Sequence, residues 1–459
     1  MKKRIIVIGG GVAGYPAALR AARLGADVTL VEKEKLGGVC LNKGCIPTKA
    51  YLKATTLFKE MKKASLFGVN SEKVGIDFNS LLVRKKVVVN RLTEGVASLL
   101  KSKKVQVVNG TASFVNSKTI KILETGNVLS GDKFILATGS TPVELSIPGS
   151  ENVSLLTSDD LLTMESLPKS LLIIGGGYIG VELGQFFHRM GVEVSIVEVM
   201  DRIIPTEDEE ISKALRGFLE KEGIRIFTQG RVEKVERDDV QKRVIFSTTG
   251  GQKEIQATEI AQTVGRKPCF SGMEIEKIGL KTEKGRIVVN ERMETNIPHI
   301  FAAGDVIGKI MLAHVAMAEG ECAARNALGY PSAISYAAVP RCIYTSPEVA
   351  CVGLTEKEAI EKEGAVQVSR FPFHVISKAS LMEEMEGMIK VVAGRRYGEI
   401  LGVHIIGPHA TELIAEAVLA IEMEVTVEEL AHTIHPHPTF SEGMGEAAMA
   451  LSGGAIHLP

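Results

Sequence analysis

The sequence predicts an α/β protein with two Rossmann-like dinucleotide-binding domains and a C-terminal α+β dimerisation domain. Two observations indicate this class: 459 residues are too many for one simple domain, and a glycine-rich strand–turn–helix–strand pattern occurs twice. Hydrophobic residues make up 45% of the chain, as in ordinary folded proteins. The formal net charge of −1 argues against a general surface for nucleic acid or anionic membrane, so we expect neither partner.

The glycine-rich pattern joins two apolar runs through a tight turn and a helix. The first copy reads RIIVIGGGVAGYPAALRAARLGADVTLVEKE, and the second reads LLIIGGGYIGVELGQFFHRMGVEVSIVEVM. The interval from the first glycine to the closing glutamate is 23 residues in both copies. One G-x-G-x-x-G motif is weak evidence, but two copies in this context predict two dinucleotide sites. The motif residues are Gly9, Gly11, Gly14 and Glu32 in the first copy and Gly175, Gly177, Gly180 and Glu198 in the second.

Each residue type in the motif has its own physical role. The first glycine permits the tight turn, the second lets the backbone approach a pyrophosphate, and the third lets helix and strand pack closely. The phosphates bind at the helix N-terminus, where free N–H groups and the helix dipole favour anions. Glu32 and Glu198 would each accept hydrogen bonds from a ribose, although either glutamate alone also fits a solvated strand end. Because a carboxylate repels a 2′-phosphate, Glu198 predicts NAD rather than NADP.

Two dinucleotide modules in one chain predict two nucleotides that exchange electrons. The segment TNIPHIFAAGD, residues 295–305, is an apolar strand that ends at Asp305, a candidate acceptor for the ribityl hydroxyls of a flavin. The segment FILATGS, residues 134–140, is a similar strand that ends in a turn of small residues. We therefore predict FAD and NAD as cofactors. The turn residues are Ala137, Thr138 and Gly139.

The segment GGVCLNKGCIPTKAY holds two cysteines, Cys40 and Cys45, close together. A zinc site needs about four ligands, and no histidine lies near this pair in sequence. A structural disulfide is the second alternative, but disulfides are rare in the cytosol. We expect a cytoplasmic location because the N-terminal apolar run is too short for a signal peptide and no run is long enough to span a membrane. A redox-active dithiol is the favoured interpretation.

Helix geometry is consistent with a redox-active pair. An undistorted helix separates residues five apart by about 7.5 Å along its axis, beyond the usual Cα separation in a disulfide of about 4.4–6.8 Å. Gly44 can supply the irregular backbone that brings Cys40 and Cys45 together. Cys45 precedes Pro47 at the expected helix start, where the helix dipole favours a thiolate.

The C-terminal segment HTIHPHPTFSE is a candidate acid–base site. Its histidines could suggest zinc, but Pro436 and Pro438 prevent a helical pair of ligands, and we predict no metal. A histidine with a carboxylate partner is also the usual base for thiol attack, because imidazole titrates near neutral pH. The preceding helix is expected to bury one face at the domain core or a dimer contact. The site candidates are His432, His435, His437 and Glu442, and the expected buried face is Ala410, Leu413, Ile414, Ala417, Val418 and Ile421.

The chain resembles the flavoprotein disulfide reductases in several motifs, which occur in the same order as in that family. They are the two glycine repeats, the cysteine segment, ATGS, TNIPHIFAAGD and HPHPTFSE. The resemblance covers essentially the whole chain and is greatest to the dihydrolipoyl dehydrogenase branch. It implies an FAD domain formed by residues 1–142 and 266–334, an NAD domain at 143–265, and a C-terminal interface domain at 335–459.

The resemblance also implies roles for the reactive residues. A substrate dithiol attacks the disulfide at Cys40, and Cys45 then passes the electron pair to the flavin, which reduces NAD⁺. Lys49 lies at the flavin N5 edge and pairs with Glu182. His437 is the base and acts across a homodimer interface on the other subunit's cysteine pair, while Glu442 orients it; His432 and His435 are expected to be structural.

Further cofactor contacts come from the resemblance alone. Tyr178 occupies the position of a tyrosine lid in the glutathione reductase branch, and both a mobile lid and a packed ring remain open. Residues of the MLAH segment lie against the flavin, before a helix N-terminus, and three others make backbone contacts to the nucleotides. These residues are Met311, Leu312, Ala313 and His314 in the MLAH segment, and Ala112, Val232 and Gly265 elsewhere.

One segment departs from the branch pattern. VISKAS, residues 375–380, replaces an Asn-x-Arg-Ala pattern, which affects substrate or partner detail rather than the reaction class. The alternative enzyme is a related NAD(P)H-dependent disulfide reductase of the coenzyme A-disulfide or mercuric reductase type. A non-catalytic alternative is an assembly component of a 2-oxo acid dehydrogenase or glycine cleavage complex. Because no lipoyl-domain pattern occurs, we expect the lipoyl group to arrive on a separate partner protein.

Overall fold

The computed structural model describes residues 2–70, 73–238 and 241–458. Within these ranges the chain forms two units built on parallel sheets and one C-terminal unit built on an antiparallel sheet. The predicted fold class is therefore confirmed. No helix in the described ranges is long and apolar enough to cross a membrane.

The first parallel sheet holds the N-terminal glycine turn. Its central strands are buried apolar runs, as expected for a parallel sheet covered on both faces. The strand at residues 300–302 completes one edge, so this sheet joins distant parts of the chain. From that edge, the order is β19 (Ile300–Ala302), β7 (Lys133–Leu136), β1 (Arg4–Ile8), β2 (Asp27–Glu32) and β3 (Gln106–Asn109).

Helices cover both the sheet and the cysteine segment. The helix after the first glycine turn buries Ala17, Ala18 and Ala21, whose small side chains allow close packing. At Gly320 an added Cβ would lie 2.1 Å from the Ala13 carbonyl oxygen, so the two helices of this layer approach backbone to backbone. The helices are α1 (Gly14–Arg23), α2 (Gly38–Lys43), α3 (Cys45–Lys62), α4 (Phe78–Ser102) and α8 (Ala313–Ala327).

The second parallel sheet repeats this plan around the second glycine turn. Its order is β11 (Arg225–Phe227), β10 (Glu193–Val197), β9 (Ser170–Ile174) and β15 (Glu259–Gln262). An antiparallel sheet packs beside it, with β12 (Arg231–Arg237), β13 (Lys242–Thr248) and β14 (Gly251–Ala257). The helices of this unit are α5 (Ser158–Thr163), α6 (Tyr178–Arg189) and α7 (Glu209–Glu222).

The C-terminal unit places helices around an antiparallel sheet. The sheet order is β20 (Arg341–Ile343), β21 (Glu348–Gly353), β24 (Ile400–Gly407), β23 (Met388–Gly394) and β22 (Val366–Pro372). The helices are α9 (Glu356–Glu363), α10 (Ser377–Met382), α11 (Ala410–Glu422), α12 (Val427–His432) and α13 (Glu442–Ser452).

The buried face of α11 is only partly as predicted. Three expected positions are buried: Ala410, Ile414 and Ala417. Three others are only partly buried: Leu413, Val418 and Ile421. The difference arises because α11 packs on β21 and β24 by a narrower face, which also takes in Ala420. On its outer side Leu419 remains 64% exposed.

Short elements connect the units. The strands β8 (Ser140–Pro142) and β16 (Arg266–Pro268) pair where the chain leaves and re-enters the first unit. The remaining strands are β4 (Ala112–Asn116), β5 (Thr119–Ile122), β6 (Val128–Ser130), β17 (Thr282–Glu283) and β18 (Arg286–Ile287). Short 3₁₀ helices span Ala64–Phe67, Ile275–Ile278, Asp305–Ile307 and Phe373–Val375.

A buried ionic cluster fixes the second unit to the C-terminal unit. Lys390, which is 1% exposed, lies 2.9 Å from Asp208, 2.8 Å from Glu210 and 2.7 Å from Glu356. A buried ammonium is tolerated only when it is paired in this way. Because Asp208 also caps α7 through the Glu210 amide, the cluster fixes the orientation of the second unit.

Candidate active site

A cavity of about 730 Å³ runs from the first glycine turn to the cysteine pair. All three units contribute to its wall, so the site exists only in the assembled fold. Most residues predicted to bind the flavin or to react with thiols line it. These are Gly9, Gly11, Glu32, Cys40, Cys45, Lys49, Ala112, Ala137, Thr138, Gly139, Tyr178, Glu182, Asp305, Met311, Leu312, Ala313 and His314.

The first turn has the geometry that a dinucleotide requires. Gly9 has a φ of +102°, and an added Cβ would lie 2.2 Å from the Ala137 carbonyl oxygen. A Cβ on Gly14 would lie 1.8 Å from the Gly9 oxygen, so close packing of α1 requires this glycine. In contrast, a Cβ on Gly11 would meet only Gly38, at 3.7 Å. Gly11 is therefore free of packing demands and leaves space beside the turn for a ligand.

The closing carboxylate of the first module is held by its own backbone. Glu32 is 8% exposed and accepts hydrogen bonds from the Gly10 amide at 2.6 Å and the Glu34 amide at 2.7 Å. A carboxylate offers about four acceptor positions, so two bonds leave capacity for ribose hydroxyls. The chain thus orients Glu32 before any ligand arrives.

Several polar groups of the cavity fit FAD. The Thr138 hydroxyl is buried and has no hydrogen-bond partner within the described part of the chain. Asp305 accepts a hydrogen bond from the Ser140 hydroxyl and presents its carboxylate to the same cavity. Neither α1 nor α8 has a side-chain N-cap, so their N-terminal amides are available to negatively charged groups. The cavity volume also lies within the usual range for cofactor-sized ligands, roughly 300–1,000 Å³.

Gly44 separates the helices that carry the two cysteines. Its φ of −148° and ψ of −111° end α2 and start α3 at Cys45. Both thiols are free and line the same cavity. The neighbouring Cys40 thiol, supported by the Lys49 ammonium, lowers the pKa of Cys45 to about 7 despite its burial. The proximity of Cys45, together with burial, raises the pKa of Cys40. The electrostatics of the pair therefore favour a protonated Cys40 beside a Cys45 thiolate.

Lys49 forms the expected ion pair with Glu182. Its Nζ atom lies 2.7 Å from Glu182 Oε2, and the Glu182 side chain is 3% exposed. Lys49 lies four positions after Cys45, the first residue of α3, so cysteine and lysine lie on the same helix face. Glu182 comes from α6 of the second unit, so the second module supplies a charged group to the cavity of the first.

The second turn repeats the geometry of the first. A Cβ on Gly175 would lie 2.7 Å from the Thr263 oxygen, and one on Gly180 would lie 2.1 Å from the Gly175 oxygen. Gly177 has no neighbour within 4 Å of its Cβ position. Glu198 accepts hydrogen bonds from the Gly176 amide at 2.6 Å and the Met200 amide at 2.8 Å. The geometry of the second turn therefore fits a second dinucleotide, just as the geometry of the first turn fits FAD.

The remaining nucleotide candidates have different positions. Gly265 follows β15 with a φ of +110° and open space at its Cβ position. Val232 lies on β12, away from the flavin cavity. Tyr178 is the first residue of α6 and lines the cavity, where burial raises the pKa of its phenol to about 12. A packed ring and a mobile lid both stay predictions.

The predicted base has its carboxylate partner. His437 Nδ1 lies 2.8 Å from Glu442 Oε1, and the Thr439 amide donates to the other oxygen at 2.8 Å. Partial burial raises the pKa of Glu442, but the Thr439 and His437 hydrogen bonds outweigh burial and lower it overall. The His437 side chain is 68% exposed and does not line the cavity within its own chain. The dyad therefore faces outward from the protomer.

The other histidines of the segment are bonded elsewhere. His435 Nε2 lies 2.8 Å from Glu416 Oε1, which raises the pKa of His435. His432 Nδ1 lies 2.7 Å from the Glu428 carbonyl oxygen on its own helix. In the described residues, no group of three or more His, Cys, Asp or Glu side chains could hold a metal ion.

Sequence reasoning missed several cavity residues. Arg266 donates to the hydroxyl and carbonyl oxygens of Ser140 and pairs with Asp159 at 3.4 Å, which joins β8, β16 and α5 at the cavity wall. Tyr344 and Cys342, at the end of β20, also line the cavity. No local motif marks these residues, because their partners lie more than 100 positions away. The helix α11 contributes Thr411, Ile414, Ala415 and Val418 to the wall, although its pattern predicted only packing.

Family models match most of the chain. Residues 3–320 match the pyridine nucleotide-disulphide oxidoreductase family, and residues 339–448 match the dimerisation domain of the same family. The C-terminal unit is thus a dimerisation domain.

Full-length relatives agree with this family. The chain is 45% identical to dihydrolipoyl dehydrogenase of Thermus scotoductus over 458 residues, covering 99% of this chain and 98% of the relative. It is 42% identical to a dihydrolipoyl dehydrogenase of Bacillus subtilis over 469 residues, covering 99% and 98%. Among solved structures, LpdA from Mycobacterium tuberculosis has a TM-score of 0.88 at 28% identity, covering 98% and 99%. The HOCl-induced flavoprotein disulfide reductase RclA from Escherichia coli has a TM-score of 0.86 at 26% identity, covering 97% and 99%.

Sequence, fold and site geometry agree along the chain. The two glycine turns and the cavity fit FAD and NAD, the cofactors that enzymes of this type use. The chain belongs to the pyridine nucleotide-disulphide oxidoreductase family.

Proposed function

We propose that this chain oxidises protein-bound dihydrolipoamide to lipoamide and reduces NAD⁺ to NADH. The observation that carries the proposal is the Cys40–Cys45 thiol pair in the cavity, whose wall also holds the Lys49–Glu182 ion pair. The choice of dihydrolipoamide is supported by full-length relatives whose name is dihydrolipoyl dehydrogenase. These relatives favour dihydrolipoamide over a coenzyme A disulfide or a mercuric ion as the substrate.

The thiol chemistry begins with the oxidised Cys40–Cys45 pair. His437 accepts a proton from the first substrate thiol, and the resulting thiolate attacks the Cys40 sulfur. The bond between Cys40 and Cys45 breaks, and Cys45 leaves as a thiolate that the Lys49 ammonium stabilises. Glu442 holds the His437 ring through Nδ1, so Nε2 is free to take the proton.

The second thiol then displaces Cys40 from the mixed disulfide and closes the cyclic product. Of the two thiol protons, one remains on Cys40 and the other leaves through His437 to solvent. The resulting state is a Cys40 thiol beside a Cys45 thiolate, the protonation state that the pKa shifts of the free pair favour. When bound, FAD would supply the two-electron and hydride chemistry that links this dithiol to NAD⁺, and Gly11, Glu32, Thr138 and Asp305 are among the residues that would hold it.

A homodimer with shared active sites is part of the proposal. Residues 339–448 match a dimerisation domain, and the His437–Glu442 dyad points away from its own cavity. A two-fold dimer brings the same patch of each subunit to the other, so one cross-subunit contact creates two equivalent sites. His437 then acts on the cysteine pair of the opposite subunit.

The division of the chain, its partners and its location complete the proposal. We divide it into an FAD domain (1–142 and 266–334), an NAD domain (143–265) and an interface domain (335–459), supported by the pairing of β8 with β16 where the first two meet. The proposed partners are lipoyl-bearing proteins of 2-oxo acid dehydrogenase or glycine cleavage systems. A cytoplasmic location is proposed because reversible dithiol chemistry suits a reducing compartment.

Anaerobic stopped-flow reduction by dihydrolipoamide tests the substrate directly. We expect rapid appearance of the long-wavelength absorption from a thiolate beside the flavin, and NADH formation once NAD⁺ is present. The comparison panel contains glutathione, coenzyme A and their disulfides. Faster turnover with one of these than with dihydrolipoamide would reject the proposed substrate and favour a related disulfide reductase.

Two inactive variants test the shared site. Cys45→Ser should abolish both dithiol oxidation and the long-wavelength absorption, whereas His437→Gln should retain FAD and lose about 10²–10⁴-fold in thiol turnover. After subunit exchange, mixed dimers hold one site with both defects and one with neither. Activity should therefore return on mixing. Verified mixed dimers that stay inactive would contradict a site built from both subunits.

A further inference from the structure

Tyr344 is a cavity residue to which no step of the thiol chemistry gives a role. It follows β20 in the C-terminal unit, and its ring lies over the Lys49 ammonium with Nζ 4.6 Å from the ring centroid. This distance is within the roughly 6 Å at which a cation is attracted to the negative face of an aromatic ring. Burial raises the pKa of Tyr344 to about 12, so the ring is neutral at physiological pH.

The backbone of Tyr344 contacts the same carboxylate that pairs with the lysine. Its amide donates to Glu182 Oε1 at 2.8 Å, while Lys49 Nζ lies 2.7 Å from Glu182 Oε2. The carboxylate therefore bridges the ammonium and the Tyr344 backbone. The result is a clamp in which Lys49 has a carboxylate on one side and an aromatic face on another.

The turn that carries Tyr344 is fixed to α6 beyond this clamp. The Ser346 amide donates to Gln185 at 2.8 Å, and the Ser346 carbonyl accepts from Gln185 at 2.9 Å and from Arg189 at 3.0 Å. Glu182, Gln185 and Arg189 occupy positions i, i+3 and i+7 of α6, so they lie on one face of that helix. The ring of Tyr344 thus approaches Lys49 from a rigid support rather than from a free loop.

We propose that Tyr344 is a positioning residue that holds the Lys49 ammonium beside Cys45 through its aromatic face. The ammonium of a lysine stands at the end of a flexible four-carbon chain, and the Lys49 side chain is 29% exposed. The Glu182 carboxylate alone therefore does not fix the position of the Lys49 ammonium. Without the ring, the ammonium is free to move toward solvent while the buried Glu182 carboxylate stays. The inference rests on the proposed dithiol chemistry, for which a stable Cys45 thiolate is required.

The balance of charge around Cys45 shows why the position of Lys49 matters. Lys49 favours the thiolate, and Glu182 opposes it. The neighbouring Cys40 thiol also favours the thiolate, whereas the phenols of Tyr178 and Tyr344 are uncharged near neutral pH because burial raises the pKa of each to about 12. Among the described residues that shift the pKa of Cys45, Lys49 is the cation and Glu182 is the carboxylate, so displacing the ammonium leaves the negative charge uncompensated.

The test compares rings of the same shape but different charge distribution in the intact holoenzyme. Tyr344→Phe keeps the aromatic face, Tyr344→Leu removes it, and fluorinated phenylalanines at position 344 keep the shape but weaken the negative face. The enzyme is reduced by two electrons with limiting dithionite, and the thiolate–flavin absorption is titrated with pH. We expect the midpoint to stay unchanged with phenylalanine and to rise by about half to one pH unit with leucine, which corresponds to loss of one cation–π contact.

The fluorinated series separates positioning from packing. The midpoint should rise progressively with fluorine content although ring size is nearly constant. A midpoint that is the same for phenylalanine, its fluorinated forms and leucine would overturn the proposal. If Tyr344→Leu does not fold, the fluorinated series alone gives the same decision.

A second measurement requires neither bound flavin nor a physiological substrate. In a Cys40→Ala background, the rate of Cys45 alkylation by iodoacetamide is followed against pH with each residue at position 344. A matching upward shift supports the positioning role even if dihydrolipoamide is not oxidised, in which case only the proposed function fails. If position-344 variants that retain Cys40 oxidise dihydrolipoamide normally and the alkylation profile shows no shift, only the positioning role is rejected.

Discussion

The two glycine-turn modules of this chain share one backbone design but contribute differently to catalysis. In each, the closing glutamate accepts a hydrogen bond of 2.6 Å from the glycine amide that follows the first motif glycine. In each, an added Cβ on the third glycine would collide with the carbonyl oxygen of the first, at 1.8 Å for Gly14 and 2.1 Å for Gly180. The shared contacts set the shape of a dinucleotide site.

The difference between the modules lies in residues that the motif leaves free. After the middle glycine, the first module has Val12 and the second has Tyr178; two positions after the third glycine, the first has Pro16 and the second has Glu182. Tyr178 and Glu182 both line the cavity of the first module. The second module therefore has the geometry for a nucleotide of its own and also supplies side chains to the cavity that holds the cysteine pair.

The helices that start at the glycine turns or at the cavity differ in capping from several others. Helices α1, α6 and α8 have no side-chain cap, so their first amides are available to a ligand. Helices α5, α9 and α12 start with capping boxes built on Thr157, Thr355 and Thr426. A missing cap does not by itself mark a ligand site, since α10 and α13 also lack one and do not line the cavity.

The largest predicted effect comes from filling the two tight turns. Gly14→Ala should abolish FAD content and destabilise the protein by about 3 kcal/mol, because its Cβ meets a carbonyl oxygen that cannot move away. Gly180→Ala should damage the second module by a similar amount. Flavin absorbance and urea unfolding measure both effects. Normal flavin content and stability in Gly14→Ala would contradict the assigned packing role of this residue.

A large change in cofactor choice is expected at the second module only. Glu198→Arg should lower the preference for NAD⁺ over NADP⁺ by about 10²-fold, because an unfavourable carboxylate is replaced by a partner for the 2′-phosphate. The ratio of kcat/KM for the two nucleotides measures this change. Glu32→Gln serves as the matched control, since a change in the first module should affect FAD retention but leave the nucleotide ratio unaltered.

The thiol pair predicts a moderate shift in pH dependence. Because the pKa of Cys45 is about 7, thiolate–flavin absorption of the reduced enzyme should persist above that pH and disappear below it. Cys40→Ala removes the neighbouring thiol that lowers the pKa of Cys45, so the thiolate is less stable and the midpoint should move upward by about one pH unit. A spectrophotometric pH titration checks both values. A downward shift in Cys40→Ala would mean that Cys40 does not stabilise the Cys45 thiolate.

The smallest effect is expected where a helix start has no ligand. Thr355→Ala removes the capping box of α9 and should cost about 1 kcal/mol of unfolding free energy. Turnover and FAD content should remain at wild-type levels, since α9 does not line the cavity. Chemical denaturation and steady-state kinetics provide the two readouts. A loss of activity larger than the loss of stability would show that this helix start has a functional role.

The sequence predicted those parts of the site that are local in the chain. Both glycine turns, the interruption of helix at Gly44 and the helix start at Cys45 follow from nearby residues and are present in the structure. The ion pair of Lys49 with Glu182 spans 133 positions and was expected only because the chain resembles a known family.

Contacts without a motif could not be predicted in this way. The ring of Tyr344 reaches Lys49 because β20 and α3 meet in the assembled fold, and no periodicity encodes that meeting. The same holds for Arg266, whose contacts with Ser140 depend on the pairing of β8 with β16. On α11, apolar spacing marked a helix face, but the width of the face that is covered depends on the sheet beneath it.

Gly177 allows the most direct test of the central claim, that two similar modules serve separate nucleotides while sharing one thiol site. Its Cβ position has no neighbour within 4 Å, so Gly177→Val should fold normally and fill only the space for a pyrophosphate. The measurement is anaerobic stopped-flow reduction by dihydrolipoamide, followed by mixing with NAD⁺. We predict normal FAD content and a normal rate of thiolate–flavin absorption, with NADH formation reduced by at least about 10²-fold, since the second glycine must let the backbone approach the pyrophosphate. Loss of FAD from Gly177→Val, or NADH formation at the wild-type rate, would contradict the separation of the two modules.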